Sequence, residues 1–136
     1  MDAQMIYQVK IIDGQPTFSA PLSDIIGTIK HGGGLKVLSP IEYHTSQQRR
    51  WYRGPCLNGL SEWSGDTVDE WDLRLKALCG ASCLKKETIV IESGTVWRLT
   101  IRGVGKRGMT QFIENILSIA ITNDWPVTPP DAELRK

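Results

Sequence analysis

The sequence predicts an α+β fold, a small mixed sheet with a β-hairpin packed against three to four helices in one domain spanning residues 1–136. A β-branched run near the N-terminus and a hairpin pattern around Ser93 supply the strands. The predicted order is strand–helix–strand–helix–helix–hairpin–helix, whereas a doubly wound parallel sheet would alternate strands with helices throughout. A chain of 136 residues, 40% of them hydrophobic, can bury a core of this kind.

The N-terminal region, residues 1–43, is predicted to be strand, helix and strand. The segment 5–12 is the first strand, and 35–43 is a second one that Pro40 interrupts. A helix over 21–30, capped by Ser19, lies between them. Its apolar stripe consists of Leu22, Ile25, Ile26 and Ile29.

Residues 44–80 form a helical region with a kink or break at Gly54-Pro55, because proline removes a helix hydrogen bond. Helical spacing predicts a buried stripe of Tyr52, Cys56, Leu60 and Trp63, and leaves Arg50 and Trp51 pointing away from it. Thr67 and Glu70 form a capping box for the next helix, which Gly80 ends. In that helix Trp71, Leu75 and Leu78 follow helical spacing.

Residues 81–125 are predicted to contain the hairpin and a final helix. The hairpin turns at Glu92-Ser93-Gly94, and Thr110 is expected to cap the helix. The buried face of that helix comprises Phe112, Ile113, Ile116, Leu117 and Ala120. The tail, 126–136, is too rich in proline to continue the helix.

The charge distribution is uneven although the net charge is only +1. Residues 30–107 carry 13 Lys or Arg against eight Asp or Glu, and the segment 96–107 has four cations and no acid. A local basic surface on a nearly neutral protein suggests contact with a polyanion. The sequence shows neither a membrane span nor a signal peptide, and its three cysteines have no disulfide pattern, so we expect a cytoplasmic protein.

The glycines at positions 103, 105 and 108 match the G-x-G-x-x-G spacing of dinucleotide-binding turns. That turn requires a following strand with an acidic residue, and here the helix runs into prolines instead. We therefore predict no nucleotide cofactor. Two interpretations of the segment stay open: a connector whose glycines satisfy turn geometry, or a phosphate contact made by Arg102, Lys106 and Arg107.

Enzymatic and metal sites have little support in the sequence. Cys79 and Cys83 with His31 and His44 lack the paired spacing of structural zinc sites, so we predict no metal. Acidic residues cluster only at a helix start, where capping and the helix dipole favour them anyway. We predict a protein without catalytic residues, and a metal-dependent nuclease or other nucleic-acid enzyme is the alternative.

The segment 45–54, "TSQQRRWYRG", interleaves three arginines with two aromatic residues. Arginines can contact phosphates while a flat aromatic ring stacks on a base, as in proteins that bind single-stranded nucleic acid. The helical projection exposes Arg50 and Trp51 and places Arg53 at the margin of the buried stripe. A basic amphipathic helix with an incidental tryptophan is the other interpretation. The predicted nucleic-acid-binding residues are Arg50, Trp51, Arg53, Arg102, Lys106 and Arg107.

The same segment and the helix entry "SGDTVDEW" resemble the phage NinB (Orf) family of recombination proteins. The closing segment that begins "GMTQFIENILSIAITNDWPV" is also similar to the end of that family, and the resemblance covers about residues 35–134. The matching motif positions are Thr45, Gln47, Gln48, Arg49 and Tyr52.

The resemblance implies a non-enzymatic accessory of phage homologous recombination. Such proteins bind single-stranded DNA, act as homodimers and help to load a recombinase onto strands coated by the host single-strand-binding protein. A protein–protein adaptor that contacts no DNA is a further alternative.

Overall fold

A computed structural model describes residues 6–27 and 31–136. Its contacts divide the chain into two compact units, residues 1–38 and 39–136. The α+β class is confirmed. The described strands form two separate antiparallel hairpins, whereas the sequence predicts one mixed sheet.

The first unit contains the hairpin β1 (Val9–Ile12) and β2 (Gln15–Phe18), followed by the short helix α1 (Leu22–Ile26). Asp13 and Gly14 form the turn between the two strands, both at positive φ. Ser19 does not cap α1. Its hydroxyl accepts a hydrogen bond from the Gln8 amide and closes the hairpin instead. Residues 28–30, and with them Ile29 of the predicted stripe, lie outside the described residues, as does Met5 of the predicted strand.

The second unit begins with helix α2 (Pro40–Trp51). Ser39 caps it and forms a capping box with Glu42, while Pro40 takes the first helical position, where its missing N–H costs nothing. The predicted strand over 35–43 is therefore wrong: Pro40 begins a helix and does not interrupt a strand.

A π-helical turn, Tyr52–Cys56, joins α2 to α3 (Leu57–Ser64) and contains Pro55. Pro55 has no N–H, so a regular α-helix would lose one hydrogen bond here. The wider π-turn accommodates this loss, and the chain continues through Gly54-Pro55 in helical form. Beyond it, Leu57 and Leu60 are buried, and Ser64 accepts a hydrogen bond from the indole N–H of Trp71. Trp63 lies off this face and is 54% exposed, so its predicted burial is wrong.

Helix α4 (Val68–Cys79) has the predicted capping box of Thr67 and Glu70, and Gly80 follows it as predicted. Trp71, Leu75 and Cys79 are buried at spacings of four. Leu78 is exposed, because the buried stripe continues through Cys79, one residue further along the helix.

The predicted hairpin is confirmed as β3 (Lys85–Ile91) and β4 (Gly94–Thr100), with Ile91 paired to Gly94 across the turn. Helix α5 (Lys106–Asn123) starts four residues before Thr110, which does not cap it. Gly105 occupies the cap position, and the Thr110 hydroxyl accepts a hydrogen bond from Gln48 inside the unit.

The core of the second unit forms where α2, the π-turn, α3, α4 and α5 meet. The Tyr52 and Phe112 rings lie 5.0 Å apart, and Trp125, just after α5, lies edge-on against Trp71, also at 5.0 Å. The five residues predicted for the buried face of α5 are all buried. The tail ends in a short 3₁₀ turn (Ala132–Arg135), and none of the described helices is both long and apolar enough to cross a membrane.

Candidate nucleic-acid interface

The end of α2 meets the glycine segment, residues 103–108, which leads into the first turn of α5. The Arg49 guanidinium donates a hydrogen bond from Nη2 to the Val104 carbonyl oxygen at 2.9 Å. Burial first, and the charge of Arg53 second, lower the pKa of Arg49. Arg49 therefore anchors this contact between α2 and the glycine segment.

Two of the predicted DNA-binding arginines lie in one cleft. Arg53 from the π-turn and Arg102 from the end of the hairpin both line a depression of about 330 Å³ between the hairpin and the start of α4. The cleft also contains two acidic residues, Asp69 and Asp72. Among the residues that the structure describes, Arg53 forms no ion pair.

Glu87 on β3 neutralises part of the basic segment. Its carboxylate accepts hydrogen bonds from Arg98 and Arg102, both at 3.0 Å, and the hydrogen bond from Arg98 is the main cause that lowers the pKa of Glu87. The sequence segment 96–107 contains no acid, but antiparallel pairing supplies one from the neighbouring strand. Arg102 is therefore paired with an acid although it is exposed, in contrast to Lys106 and Arg107, which follow it in the chain.

Lys106 and Arg107 form the exposed first turn of α5. Neither makes an ion pair within residues 6–27 and 31–136. The amides of a first helical turn have no acceptors inside the helix, and the positive end of the helix dipole adds to the two side-chain charges. Lys106 is close enough to His44 to lower the pKa of that imidazole, after the larger effect of burial.

We call Arg53, Arg102, Lys106 and Arg107 the basic junction, because all four belong to segments that meet at the Arg49–Val104 hydrogen bond. Lys85 also belongs to the basic junction, although the pattern of charges along the sequence does not indicate it. A Cβ at Gly103 would lie 3.4 Å from Lys85 Nζ, so the ammonium group sits directly over the glycine segment. The signal for Lys85 is the hairpin register, which pairs it with Thr100 at the end that leads into this segment.

Trp51 is not an exposed stacking residue. Only 6% of it is exposed, and its indole N–H donates a hydrogen bond to the Thr128 carbonyl oxygen at 3.0 Å. The projection along α2 assumes a single buried stripe through Tyr52. In the structure the proline-rich tail covers a second face of the helix, so Trp51 and Tyr52 are both buried.

Arg50 is exposed, as predicted, but it lies beside a different depression of about 300 Å³, which the tail forms with α2. Gln47 and Asp131 line the same depression. The structure therefore does not bring Arg50 into the cleft that Arg53 and Arg102 share.

The other motif residues are structural. Gln48 is fully buried, and its amide donates to the Thr110 hydroxyl and to the Leu134 carbonyl, tying α2 to both α5 and the tail. The Thr45 hydroxyl donates to the Ile41 carbonyl within α2. The Tyr52 hydroxyl donates to Asp72 at 2.6 Å, and burial with this hydrogen bond raises the pKa of Tyr52 far above its ordinary range.

The three cysteines are free thiols. Burial raises the pKa of Cys56 to about 12 and that of Cys79 to about 11, and it also raises the pKa of Cys83. At neutral pH these groups are therefore protonated and poor nucleophiles. Across residues 6–27 and 31–136, no group of three or more His, Cys, Asp or Glu side chains is placed to hold a metal ion.

No protein-family model, curated protein or solved structure matches this chain.

Proposed function

We propose that this protein binds single-stranded DNA as a non-enzymatic accessory of phage homologous recombination. The observation that supports the proposal most directly is the basic junction. Its exposed cations come from three separate segments, and Arg53, Lys106 and Arg107 have no acidic partner in the described part of the chain.

Unpaired exposed cations suit phosphates, because their charge is not already compensated by a carboxylate. The first turn of α5 adds backbone N–H groups that can donate to phosphate oxygens. In this role the glycine segment is both the turn before α5 and part of a phosphate contact. A dinucleotide site would require a further strand after α5, and the structure describes none between α5 and residue 136.

The recombination context comes from the NinB resemblance of residues 35–134. It extends the proposal to a homodimer that helps to load a recombinase onto DNA coated by the host single-strand-binding protein. Such a protein would act in the bacterial host cytoplasm.

A salt-dependent binding titration tests the proposal. Fluorescence anisotropy of labelled single-stranded and duplex oligonucleotides of mixed sequence should give tighter binding to the single strands. The logarithm of affinity should fall linearly with the logarithm of salt concentration, with about 0.7 for each neutralised phosphate. Labelled DNA incubated with the protein and Mg²⁺ or Mn²⁺ should stay intact. Salt-independent binding, preference for a duplex, or cleavage would contradict the proposal.

A further inference from the structure

The hairpin of β3 and β4 carries a tryptophan that the basic junction does not use. Trp97 on β4 is 61% exposed, although tryptophan is the largest apolar side chain in the protein. The ammonium group of Lys86 lies 4.5 Å from the centre of its ring. The pair is a cation–π contact on the surface of the protein.

The register explains why this ring stays in solvent. Trp97 pairs with Thr88, and because side chains alternate along a strand, these residues share a face with Lys86 and Val90. All four are exposed. The opposite face carries Arg98 and Thr100, which line the cleft shared by Arg53 and Arg102. The cleft side of the hairpin is thus directed toward the helices, and the side that carries Trp97 is open.

We propose that Trp97 is a base-stacking platform for single-stranded DNA and that Lys86 contacts a phosphate of the stacked nucleotide. This inference rests on the proposed function and names the aromatic residue that it requires, now that Trp51 is buried. The Lys86 ammonium group lies over the Trp97 ring in the free protein, so a base that stacks on this face displaces it toward the negative phosphate of the same nucleotide. Such stacking is tolerant of sequence, because every base has a π-face.

Charge favours nucleic acid over a second protein copy as the occupant of this face. Residues 85–102 carry four Lys or Arg and two Glu, a net charge of +2. An interface between two copies would have to remove Lys86 from water, and lysine is depleted at the centres of protein interfaces. On DNA the same charge is compensated by a phosphate.

The position of Trp97 also connects with the basic junction. Thr100, which lines the cleft, is three positions after Trp97 on β4, about 10 Å along the strand. Arg102, Lys106 and Arg107 follow in the chain. Trp97 and the cleft lie on opposite faces of the hairpin, so a single strand stacked on Trp97 has to pass around the end of β4 to place its next phosphates on Arg102, Lys106 and Arg107.

The test compares Trp97→Ala with Trp63→Ala, which removes another exposed tryptophan, on α3. Stacking of one base implies that Trp97→Ala weakens binding to a mixed-sequence single strand by about 5- to 100-fold. Trp97→Phe should retain most of the affinity because it keeps an aromatic ring. Trp63→Ala should bind like the unmodified protein. Lys86→Ala should flatten the salt dependence by about 0.7.

A second measurement detects the contact directly. A single-stranded oligonucleotide that contains 5-bromodeoxyuridine, irradiated in complex with the unmodified protein, should cross-link to the peptide that carries Trp97. Normal affinity of Trp97→Ala together with no cross-link at Trp97 would overturn this inference and leave the proposed function standing. Failure of the unmodified protein to bind single strands would overturn both. A change in sedimentation of Trp97→Ala with unchanged DNA affinity would assign the face to a second copy and overturn the inference.

Discussion

Two regions of the second unit place a tryptophan among cations, with opposite results. At the end of α2, Trp51 stands between Arg50 and Tyr52, and the ring is buried while Arg50 remains in solvent. On β4, Trp97 precedes Arg98 and contacts Lys86, and the ring itself is exposed. Each tryptophan has an arginine next to it in the sequence, but the exposure of the aromatic ring is reversed.

The difference arises from the partner that each element meets. Around α2 the tail crosses the helix, and the Thr128 carbonyl accepts the indole N–H, so the polar atom of Trp51 is satisfied when the ring is buried. On the open face of the hairpin Thr88 pairs with Trp97 and the Lys86 ammonium group lies over its ring. An interleaved basic and aromatic pattern therefore identifies a candidate surface, but tertiary packing decides which residues are on that surface.

The largest expected effect tests the buried half of this comparison. Trp51→Ala should lower the free energy of unfolding by about 3–5 kcal/mol, because it leaves a cavity beneath the tail and frees a carbonyl group. Trp97→Ala should cost no more than about 1 kcal/mol, the scale of a cross-strand contact. Urea denaturation of both variants measures the two values. Equal losses, or a larger loss for Trp97→Ala, would break the comparison.

The sequence predicts the elements whose signals are local. The capping box at Thr67, the turn around Ser93 and the buried stripe of α5 all depend on neighbours within a few residues, and all three are confirmed. The predicted strand around Pro40 is wrong, because proline is compatible both with an interrupted strand and with the first position of a helix. The Ser39–Glu42 capping box is the local signal that decides between them.

The errors at the candidate site come from long-range contacts. Trp51 is buried by Thr128, 77 positions away, and Arg102 is paired with Glu87 from the other strand of the hairpin. A helical projection has no information on such partners. Arg53, Lys106 and Arg107, which the sequence predicts as nucleic-acid contacts, are exposed, because long cationic side chains remain in water unless a specific partner removes them.

The glycine segment contains the same contrast between interior and surface. A Cβ at Gly108 would lie 2.6 Å from Val104 Cγ1 and 2.7 Å from the Cys83 carbonyl oxygen, whereas one at Gly105 would meet nothing within 4 Å. We expect Gly108→Ala to destabilise the protein by about 1–3 kcal/mol, in spite of the better helix propensity of alanine. Gly105→Ala is the matched control and should change stability by less than about 1 kcal/mol. Thermal and urea unfolding measure both, and a stabilised Gly108→Ala would contradict the close packing of Gly108 against Val104 and Cys83.

The basic junction should respond in binding and not in stability. The double substitution Lys106→Ala with Arg107→Ala should flatten the slope of log affinity against log salt by roughly 1 to 1.4, which is about 10- to 25-fold weaker binding at 0.1 M salt. Unfolding should change little, because both side chains are exposed. The control Lys106→Arg with Arg107→Lys keeps the charge and should restore the slope. An unchanged slope in the alanine variant would show that the first turn of α5 does not contact DNA phosphates and only connects the hairpin to the helix.

The smallest expected effect has the opposite sign and concerns Glu87. This carboxylate holds Arg98 and Arg102, and the two arginines keep its pKa below the ordinary value, so it remains ionised and paired at neutral pH. Glu87→Gln removes that charge and releases both arginines for phosphates. Single-strand affinity should therefore rise, by up to about fivefold at 0.1 M salt if one further phosphate is neutralised.

Glu92→Gln separates release of the arginines from a change in net charge. Glu92 lies in the turn of the same hairpin, is exposed, and makes no ion pair in the described part of the chain. Both substitutions remove one negative charge, but only Glu87→Gln frees Arg98 and Arg102. Anisotropy titrations at several salt concentrations should show stronger binding for Glu87→Gln and little change for Glu92→Gln. Equal gains would mean that the hairpin acts through its overall charge, and no gain in either would remove Arg98 and Arg102 from the DNA-binding surface while leaving Lys106 and Arg107 on it.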